Sequence, residues 1–300
     1  MGAVRFVDPF FHQTVDRVLA RPAAALLRRQ TTVEVLEATA EDDPGIVPNG
    51  FIFHASRCGS TLVAQMLAAS EANRVLSEPG PVDEILRTGF RTPIVPEDRR
   101  LAWMRAMISV LGRSQGAERR FFVKFDPWHV LALPLIRKAF PEVPWVFLVR
   151  DPLEILVSQL RSPGSQFAVG PLPPELFGLD LVAAATAPPG AYAARVLDTL
   201  LGAAARDFDD AGLVVDYRQL PDGLDAILAL FGVDADVEER AVMASAATFD
   251  AKNPEVAFQP DSASKQASAD DGLRAVADRI RPAFEEILRI REQRQPATVP

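Results

Sequence analysis

The sequence predicts a three-layer α/β fold with a mostly parallel central sheet flanked by helices, and three observations support this. Short continuous apolar runs, such as residues 51–53 and 145–149, alternate with stretches of helical pattern. Runs of this kind are typical of strands that are buried on both faces of a parallel sheet. Hydrophobic residues make up 48% of the 300 positions, enough for a sizeable core. No run approaches 18 consecutive apolar residues, so no membrane span is predicted.

The predicted elements follow one another in a regular order. Buried strands are predicted at residues 51–53, 121–123, 145–149 and 213–215, with a shorter strand at 74–76. Helices are predicted after the four main strands, at 62–69, 128–140, 152–160 and 224–231. Helical spacing also marks residues 15–27, 97–111, 191–208, 237–247 and 272–290. Residues 79–95, 162–190 and 253–271 have the least pattern, and segments of this kind often shape binding pockets.

The chain is interpreted as an N-terminal helical extension, residues 1–49, followed by a single α/β domain, residues 50–300. The acidic Pro-Gly sequence at 41–45 predicts a turn between them.

A net charge of −8 argues against general nucleic-acid binding. Cys58 is the only cysteine, which excludes intramolecular disulfides and multi-cysteine metal sites. Because no signal peptide precedes the first elements, we expect a cytoplasmic location. Oligomeric state is not readable from the sequence.

The most informative stretch is the turn that follows the strand at 51–53. It reads His-Ala-Ser-Arg-Cys-Gly-Ser-Thr and leads directly into a helix, whose first N–H groups have no partner within the helix. Together with the helix dipole, these groups create an anion site. Gly59 allows close backbone approach, Ser60 and Thr61 add hydroxyl donors, and Arg57 adds a positive charge. Cys58 is interpreted as a small residue that fills the turn. The stretch therefore predicts a phosphate cradle.

This cradle differs from the nucleotide-triphosphate loop G-x-x-x-x-G-K-[ST], in which lysine directly follows the second glycine. Here Ser60 follows Gly59, and Arg57 is the basic residue of the turn. The sequence R-x-G-S-T after an apolar strand resembles the 5′-phosphosulfate loop of sulfotransferases. These enzymes use 3′-phosphoadenosine 5′-phosphosulfate (PAPS) as the sulfuryl donor.

A second motif follows the strand at 145–149 and reads Arg150-Asp151-Pro152. Asp151 suits an N-cap and Pro152 suits the first helical position, so a helix should begin here. Arg150 then lies at the carboxyl end of a strand, and Ser158 lies about two turns along the helix. Because ligands of parallel sheets bind at this edge, we expect both side chains to reach the same anion.

The two motifs together resemble the paired signature of PAPS-dependent sulfotransferases, a family with a P-loop-type fold. The resemblance implies that Arg57, Gly59, Ser60 and Thr61, with Cys58 in the same turn, hold the 5′-phosphosulfate. It also implies that Arg150 and Ser158 hold the 3′-phosphate, which distinguishes PAPS from ATP, and that Tyr217 packs near the adenine.

The resemblance also implies catalytic residues. Lys124, at the end of a predicted strand, looks like the family lysine that contacts the transferring group. Glu78, in Ser-Glu-Pro-Gly-Pro, resembles the Glu-Pro element at the acceptor site of some members and is the favoured general base. Asp126 is the rival base, because it occupies the position where cytosolic members carry a catalytic histidine. His129 is expected to be packed or to act as a cap.

The predicted reaction is transfer of a sulfuryl group from PAPS to a hydroxyl or amine, with release of adenosine 3′,5′-bisphosphate (PAP). The acceptor is expected to be a small molecule or a small carbohydrate, and no metal is expected. Alternatives are an ATP-dependent small-molecule kinase, in which Asp216 would bind magnesium, and a non-catalytic nucleotide-binding protein. Whether Lys252 or Lys265 contacts the nucleotide stays open, since the family's usual R-K-G triplet is absent.

Overall fold

A five-stranded parallel sheet forms the centre of the protein. The computed structural model describes residues 4–114, 116–251, 253–257 and 261–294. The strands of this sheet are β1 (Pro48–His54), β2 (Asn73–Ser77), β3 (Arg120–Lys124), β4 (Trp145–Val149) and β5 (Gly212–Asp216). They lie in the order β2-β3-β1-β4-β5, and every neighbouring pair is parallel. β1 has β3 on one side and β4 on the other, so the chain changes direction across the sheet at β1.

Helices cover the sheet on both sides. The helices before β2 are α1 (Phe11–Leu19), α2 (Pro22–Leu26), α3 (Val33–Asp42) and α4 (Ser60–Ala69). Those between β2 and β5 are α5 (Gly80–Arg87), α6 (Glu97–Leu111), α7 (Leu133–Ala139), α8 (Pro152–Arg161), α9 (Leu181–Thr186) and α10 (Pro189–Arg206). After β5 come α11 (Leu224–Leu230), α12 (Val237–Ala246), the antiparallel pair β6 (Phe249–Asp250) and β7 (Asn253–Ala257), α13 (Ser262–Ser268) and α14 (Asp271–Arg294).

Alternation along β1 shows why the fold has three layers. Phe51 and Phe53 point to the face covered by α5, α6, α7, α10 and α14, whereas Ile52 points to the face covered by α4, α11 and α12. All three side chains are completely buried, and each contributes about 1.5–3 kcal/mol to stability. The predicted three-layer α/β fold is therefore confirmed. No helix within the described residues is long and apolar enough to cross a bilayer.

The structure corrects the sequence prediction at two prolines. The helix predicted over 128–140 is a 3₁₀ turn, Pro127–Ala132, followed by α7, because Pro134 lacks the N–H that would continue one helix. The helix predicted over 15–27 is likewise divided into α1 and α2 at Pro22. The helices α3, α5, α9 and α13 and the β6-β7 pair are not predicted, and three of these helices are shorter than nine residues.

Candidate active site

A cavity of about 490 Å³ opens at the carboxyl ends of β1 and β4, where the sheet changes direction. This is the position at which open parallel sheets bind ligands. Its wall contains almost all of the predicted site residues: Arg57, Cys58, Gly59, Ser60, Thr61, Glu78, Asp126, Arg150, Ser158 and Tyr217. Lys124 is completely buried directly behind Glu78. The structure therefore brings two motifs that are about 90 residues apart to one cavity.

The turn after β1 has a backbone conformation that few residue types can adopt. Gly59 has φ +82°, and a Cβ there would lie 2.5 Å from Leu220 Cδ1 and 3.1 Å from the Tyr217 ring. Ser60 then begins α4, so the positive end of a ten-residue helix points at the cavity. Cys58 is buried, its Sγ lies 3.1 Å from the carbonyl oxygen of Leu148, and burial raises the pKa of the thiol to about 12. It fills the turn and cannot supply a thiolate at neutral pH.

Backbone strain is concentrated around this cavity. In the described part of the chain, three residues other than glycine have a positive φ, namely Ser56 (74°), Arg57 (52°) and Glu78 (57°). All three line the cavity. Gln159, buried on α8, donates a 2.8 Å hydrogen bond to Ser56 Oγ and accepts one from the Gly164 N–H. Strained conformations cost about 1–3 kcal/mol each and persist where surrounding contacts enforce them, commonly at functional sites.

Arg150 lies at the end of β4 and is buried. Its guanidinium contacts the Glu154 carboxylate at 2.5 Å, the Asp261 carboxylate at 2.6 Å and Ser262 Oγ at 3.0 Å. The same guanidinium lies 4.0 Å from the centre of the Tyr217 ring, a cation–π contact. The Ser158 hydroxyl donates to the backbone oxygen of Glu154 and faces the cavity one helical turn further along α8.

Glu78 and Lys124 form an ion pair at the ends of β2 and β3. Burial pushes the pKa of the Glu78 carboxyl upward, but the charge and hydrogen bond of Lys124, together with His54, hold this pKa well below its usual range. Glu78 is therefore ionised at neutral pH. Arg57, whose Nη2 donates a 2.6 Å hydrogen bond to Ser162 O, lines the same side of the cavity.

The two histidines near the site have both ring nitrogens engaged. His54 accepts from the Ser56 N–H through Nδ1, which places its proton on Nε2, where it donates to Phe125 O. Burial lowers the pKa of His54 to about 4, so it stays neutral. His129 accepts from the Asp126 N–H through Nδ1 and donates from Nε2 to Asp83. The expectation that His129 is packed and acts as a cap is confirmed.

Asp126 has the opposite electrostatic environment from Glu78. Burial, with the nearby carboxylates of Glu78 and Asp83, raises the pKa of Asp126 to about 6, although His129 and Lys124 oppose the shift. Its side chain is 21% exposed and faces the cavity. Asp126 is thus partly protonated near neutral pH, whereas Glu78 is not.

The raised pKa of Asp126 predicts a measurable effect on stability. The folded state binds the proton more tightly than the unfolded state, so the contribution of this carboxyl falls as pH rises from about 4 to 6 and is constant above that. In Asp126→Asn the effect is absent. Relative to the wild type, we expect the variant's free energy of unfolding to gain about 2 kcal/mol between pH 4 and pH 7. Urea unfolding at several pH values measures this. A pH-independent difference between Asp126→Asn and the wild type would contradict it.

Asp83, Asp126 and His129 place possible metal-ligand atoms within 4.8 Å of one another. Sequence spacing did not indicate this group, because Asp83 comes from α5. Asp83 already accepts hydrogen bonds from Trp128 Nε1 at 2.9 Å, His129 Nε2 at 3.0 Å and Arg87 Nε at 2.5 Å. These donors occupy the positions a cation would need, so the group is best explained as a polar network that fixes this wall.

A second cavity of about 340 Å³ adjoins the first and shares Glu78, Asp126 and Ser165 with it. Its remaining wall comes from α5 with Gly80, Asp83 and Arg87, from Trp128, and from α1 with Phe11, His12, Val15 and Asp16. The N-terminal segment therefore reaches the site, which the sequence did not predict. Trp128 lines this cavity, whereas Phe167 and Phe177 are buried in the core.

Sequence reasoning missed several other residues of the site. Gln159, Arg161, Gly164, Gln166 and Leu220 surround the cradle, but none of them lies in a motif. Lys265 lines the first cavity. Lys252 lies outside the described residues. Asp216, the possible magnesium ligand, is 1% exposed, its carboxylate is paired with the guanidinium of Arg218, and it is not among the residues that line the first cavity.

Comparison with known proteins agrees with this geometry. The profile of the sulfotransferase family matches residues 48–228. No curated protein sequence matches significantly. Among solved structures, the sulfotransferase STF9 from Mycobacterium avium is 15% identical, with a TM-score of 0.51 over 91% of this chain and 84% of that one. The sulfotransferase domain from the Synechococcus PCC 7002 olefin synthase is 18% identical, with a TM-score of 0.42 over 84% of this chain and 96% of that one.

The family match covers more than half of the chain, from the first residue of β1 through most of α11. It includes the cradle, Glu78, Lys124 and the Arg150 motif, and the structural match to the Mycobacterium protein independently supports the fold. The chain belongs to the sulfotransferase family.

Proposed function

We propose that this protein transfers a sulfuryl group from PAPS to a hydroxyl or amine of a small acceptor and releases PAP. The observation that carries the proposal is the presence of two separate anion-binding features on one cavity. One is the cradle at the N-terminus of α4, and the other is the Arg150 guanidinium at the end of β4. A nucleotide with phosphate groups on both the 5′ and the 3′ positions matches such a pair, whereas ATP leaves the second feature unused.

The residues around the first cavity fit this donor. Arg57 and the N–H groups of Ser60 and Thr61 would hold the 5′-phosphosulfate, because they combine positive charge with a helix N-terminus. Arg150 and Ser158 would hold the 3′-phosphate. Tyr217 lies beside both Arg150 and Gly59, so its ring is available to pack against the nucleotide. The absence of a Cβ at Gly59 keeps the turn close to Leu220 and Tyr217, which shapes the cradle.

The second cavity is the proposed acceptor site, because Glu78 and Asp126 lie on the border between the two cavities. The wall combines aromatic rings with four carboxyl groups and one arginine, which favours an uncharged or cationic small molecule over a polyanion; these residues are Asp16, Glu78, Asp83, Asp126 and Arg87. An acceptor bound here would present its hydroxyl or amine to Glu78. The same group would face the donor's sulfur on the side opposite the leaving phosphate. Such placement supplies much of the catalysis in related group transfers.

In the proposed reaction, Glu78 takes the proton of the acceptor group as the new bond to sulfur forms. The bond between sulfur and the bridging oxygen of the donor breaks, and the electron pair leaves with PAP. Arg57 neutralises the charge that develops on the leaving phosphate. Lys124 is paired with Glu78 in this structure and would turn toward the transferring group. Once the Lys124 ammonium has moved away from Glu78, burial would raise the pKa of the Glu78 carboxyl. The carboxylate is then a stronger base when the acceptor proton is removed.

The proposed donor site is tested by equilibrium binding. We expect wild-type protein to bind PAP without metal and more tightly than either ATP with magnesium or AMP, which lacks the 3′-phosphate. Replacing Arg150 with alanine should weaken PAP binding about 100-fold, as expected for loss of a charge-assisted hydrogen-bonded partner, with a much smaller effect on AMP. Isothermal titration calorimetry measures both.

Two further measurements complete this test. Arg150→Lys is the matched control, because it keeps the charge but loses the planar guanidinium, and it should retain part of the preference for PAP. Thermal unfolding checks that each variant is folded. A wild-type preference for ATP with magnesium would contradict the proposed donor and favour a kinase. Turnover of PAPS with a panel of small acceptors then separates an enzyme from a non-catalytic nucleotide-binding protein.

A further inference from the structure

Two cations converge on a single carboxylate beside the cradle. Arg150 Nη2 lies 2.6 Å from Asp261 Oδ1, and Lys265 Nζ lies 2.6 Å from Asp261 Oδ2. The two basic side chains are almost completely buried, at 5% and 9% exposure. They come from different parts of the chain, the end of β4 and the helix α13. An anion held between two buried cations is the arrangement expected of a phosphate site, but here the anion belongs to the protein.

The charges around Arg150 balance in this state. Arg150 and Lys265 carry two positive charges, and Asp261 and Glu154 carry two negative charges, since the pKa values of both carboxyls are held below their usual range. A phosphate dianion that entered this group would meet two carboxylates at close range. Because like charges in a partly buried site repel strongly, favourable entry requires that one carboxylate leave.

Asp261 is the carboxylate that can leave. Glu154 lies on α8 with a side chain that is only 10% exposed, and it also accepts hydrogen bonds from Ser262 and Gln266. Asp261 immediately precedes α13, its side chain is 46% exposed, and it accepts no capping hydrogen bond from the first turn of that helix. Rotation of Asp261 into solvent therefore breaks two ion pairs but leaves the core and the helix unchanged.

We propose that the Asp261 carboxylate occupies the position of the donor's 3′-phosphate, that the two anions compete for Arg150 and Lys265, and that Lys265 is a second cation of this phosphate site. This inference rests on the proposed function, since it uses the assignment of Arg150 to the 3′-phosphate. Competition of this kind lowers the affinity for PAP and PAPS by the fraction of time that the carboxylate holds the site. It does not act on nucleotides that lack a 3′-phosphate.

The test compares PAP with AMP by calorimetry in the full-length protein. Asp261→Asn keeps the size of the side chain and removes its charge, and we expect it to bind PAP about tenfold more tightly, with AMP affinity unchanged within about twofold. Asp261→Ser, which is also shorter, should behave in the same way. Asp225→Asn removes the same charge at an exposed position and should change neither affinity. Lys265→Met should weaken PAP binding about tenfold and leave AMP binding unchanged.

The outcomes separate this inference from the proposed function. If wild-type protein prefers PAP to AMP but Asp261→Asn leaves PAP affinity unchanged or weakens it, Asp261 organises the site and the competition is disproved, while the proposed donor stands. If Lys265→Met has no selective effect on PAP, its assignment to the phosphate site is wrong. If wild-type protein does not distinguish PAP from AMP, both the donor assignment and this inference are overturned.

Discussion

Replacing Glu78 with glutamine is expected to lower kcat for sulfuryl transfer about 1000-fold, while the affinity for PAP changes by no more than about twofold. Glutamine keeps the shape of the side chain but cannot take the acceptor proton. Nucleotide binding should persist because the proposed phosphate contacts come from Arg57, Arg150 and α4. The measurements are turnover of PAPS with an acceptor that the wild type uses, and calorimetric binding of PAP. Glu84→Gln, an exposed change on the same helix as Asp83, is the control.

The rival base predicts a different result. If Asp126 removes the proton, Asp126→Asn should cause the larger loss of kcat, and the wild-type kcat should fall below a pKa of about 6. If Glu78 is the base, Asp126→Asn should lower kcat less than about tenfold. Its carboxylate would then act mainly through its charge on Glu78 and Lys124. Near-normal turnover in Glu78→Gln would overturn the assignment of Glu78.

The parts of the fold that the sequence predicted are those with strong local signals. The main strands are recognisable because a strand buried on both faces carries a run of apolar residues, as in β4. The start of α8 is recognisable because Asp151 accepts hydrogen bonds from two N–H groups of its first turn, as its sequence position indicates. Both motifs that are proposed to bind phosphate follow such strands, so their approach to the same edge of the sheet follows from parallel pairing.

The remaining parts depend on contacts between distant segments, which have no local signature. Arg150 and Asp261 are separated by 111 residues, and nothing near either residue indicates that they pair. Glu154 has a capping-box position in the sequence, yet its side chain pairs with Arg150 because the guanidinium is buried beside it. The approach of α1 to the second cavity is equally invisible, since a short amphipathic helix shows which face is apolar but not where that face packs.

The buried Lys124 allows catalysis and stability to be separated. Lys124→Met removes the cation proposed to contact the transferring sulfuryl group and is expected to lower kcat at least about 100-fold. It also leaves the Glu78 carboxylate without its closest partner, which should destabilise the protein by about 3 kcal/mol at pH 7. Turnover assays and urea unfolding measure the two effects.

The double variant Lys124→Met/Glu78→Gln tests the effect of Lys124 on stability. Because it removes both charges, most of the lost stability should return, to within about 1 kcal/mol of the wild type, while turnover stays absent. The pH dependence gives a second check. In the wild type the pKa of Glu78 is depressed by Lys124, so this pair stabilises the fold above about pH 4.5 and loses its contribution as pH falls through the folded pKa. The penalty of Lys124→Met should therefore be largest near neutral pH and shrink in acid. Because Glu78→Gln alone removes the proposed base, the turnover of the double variant does not report on Lys124. The role of Lys124 in the reaction is tested by the single variant, and near-normal kcat in Lys124→Met would show that Lys124 serves only to balance Glu78. A double variant that stays as unstable as Lys124→Met would contradict the ion-pair explanation.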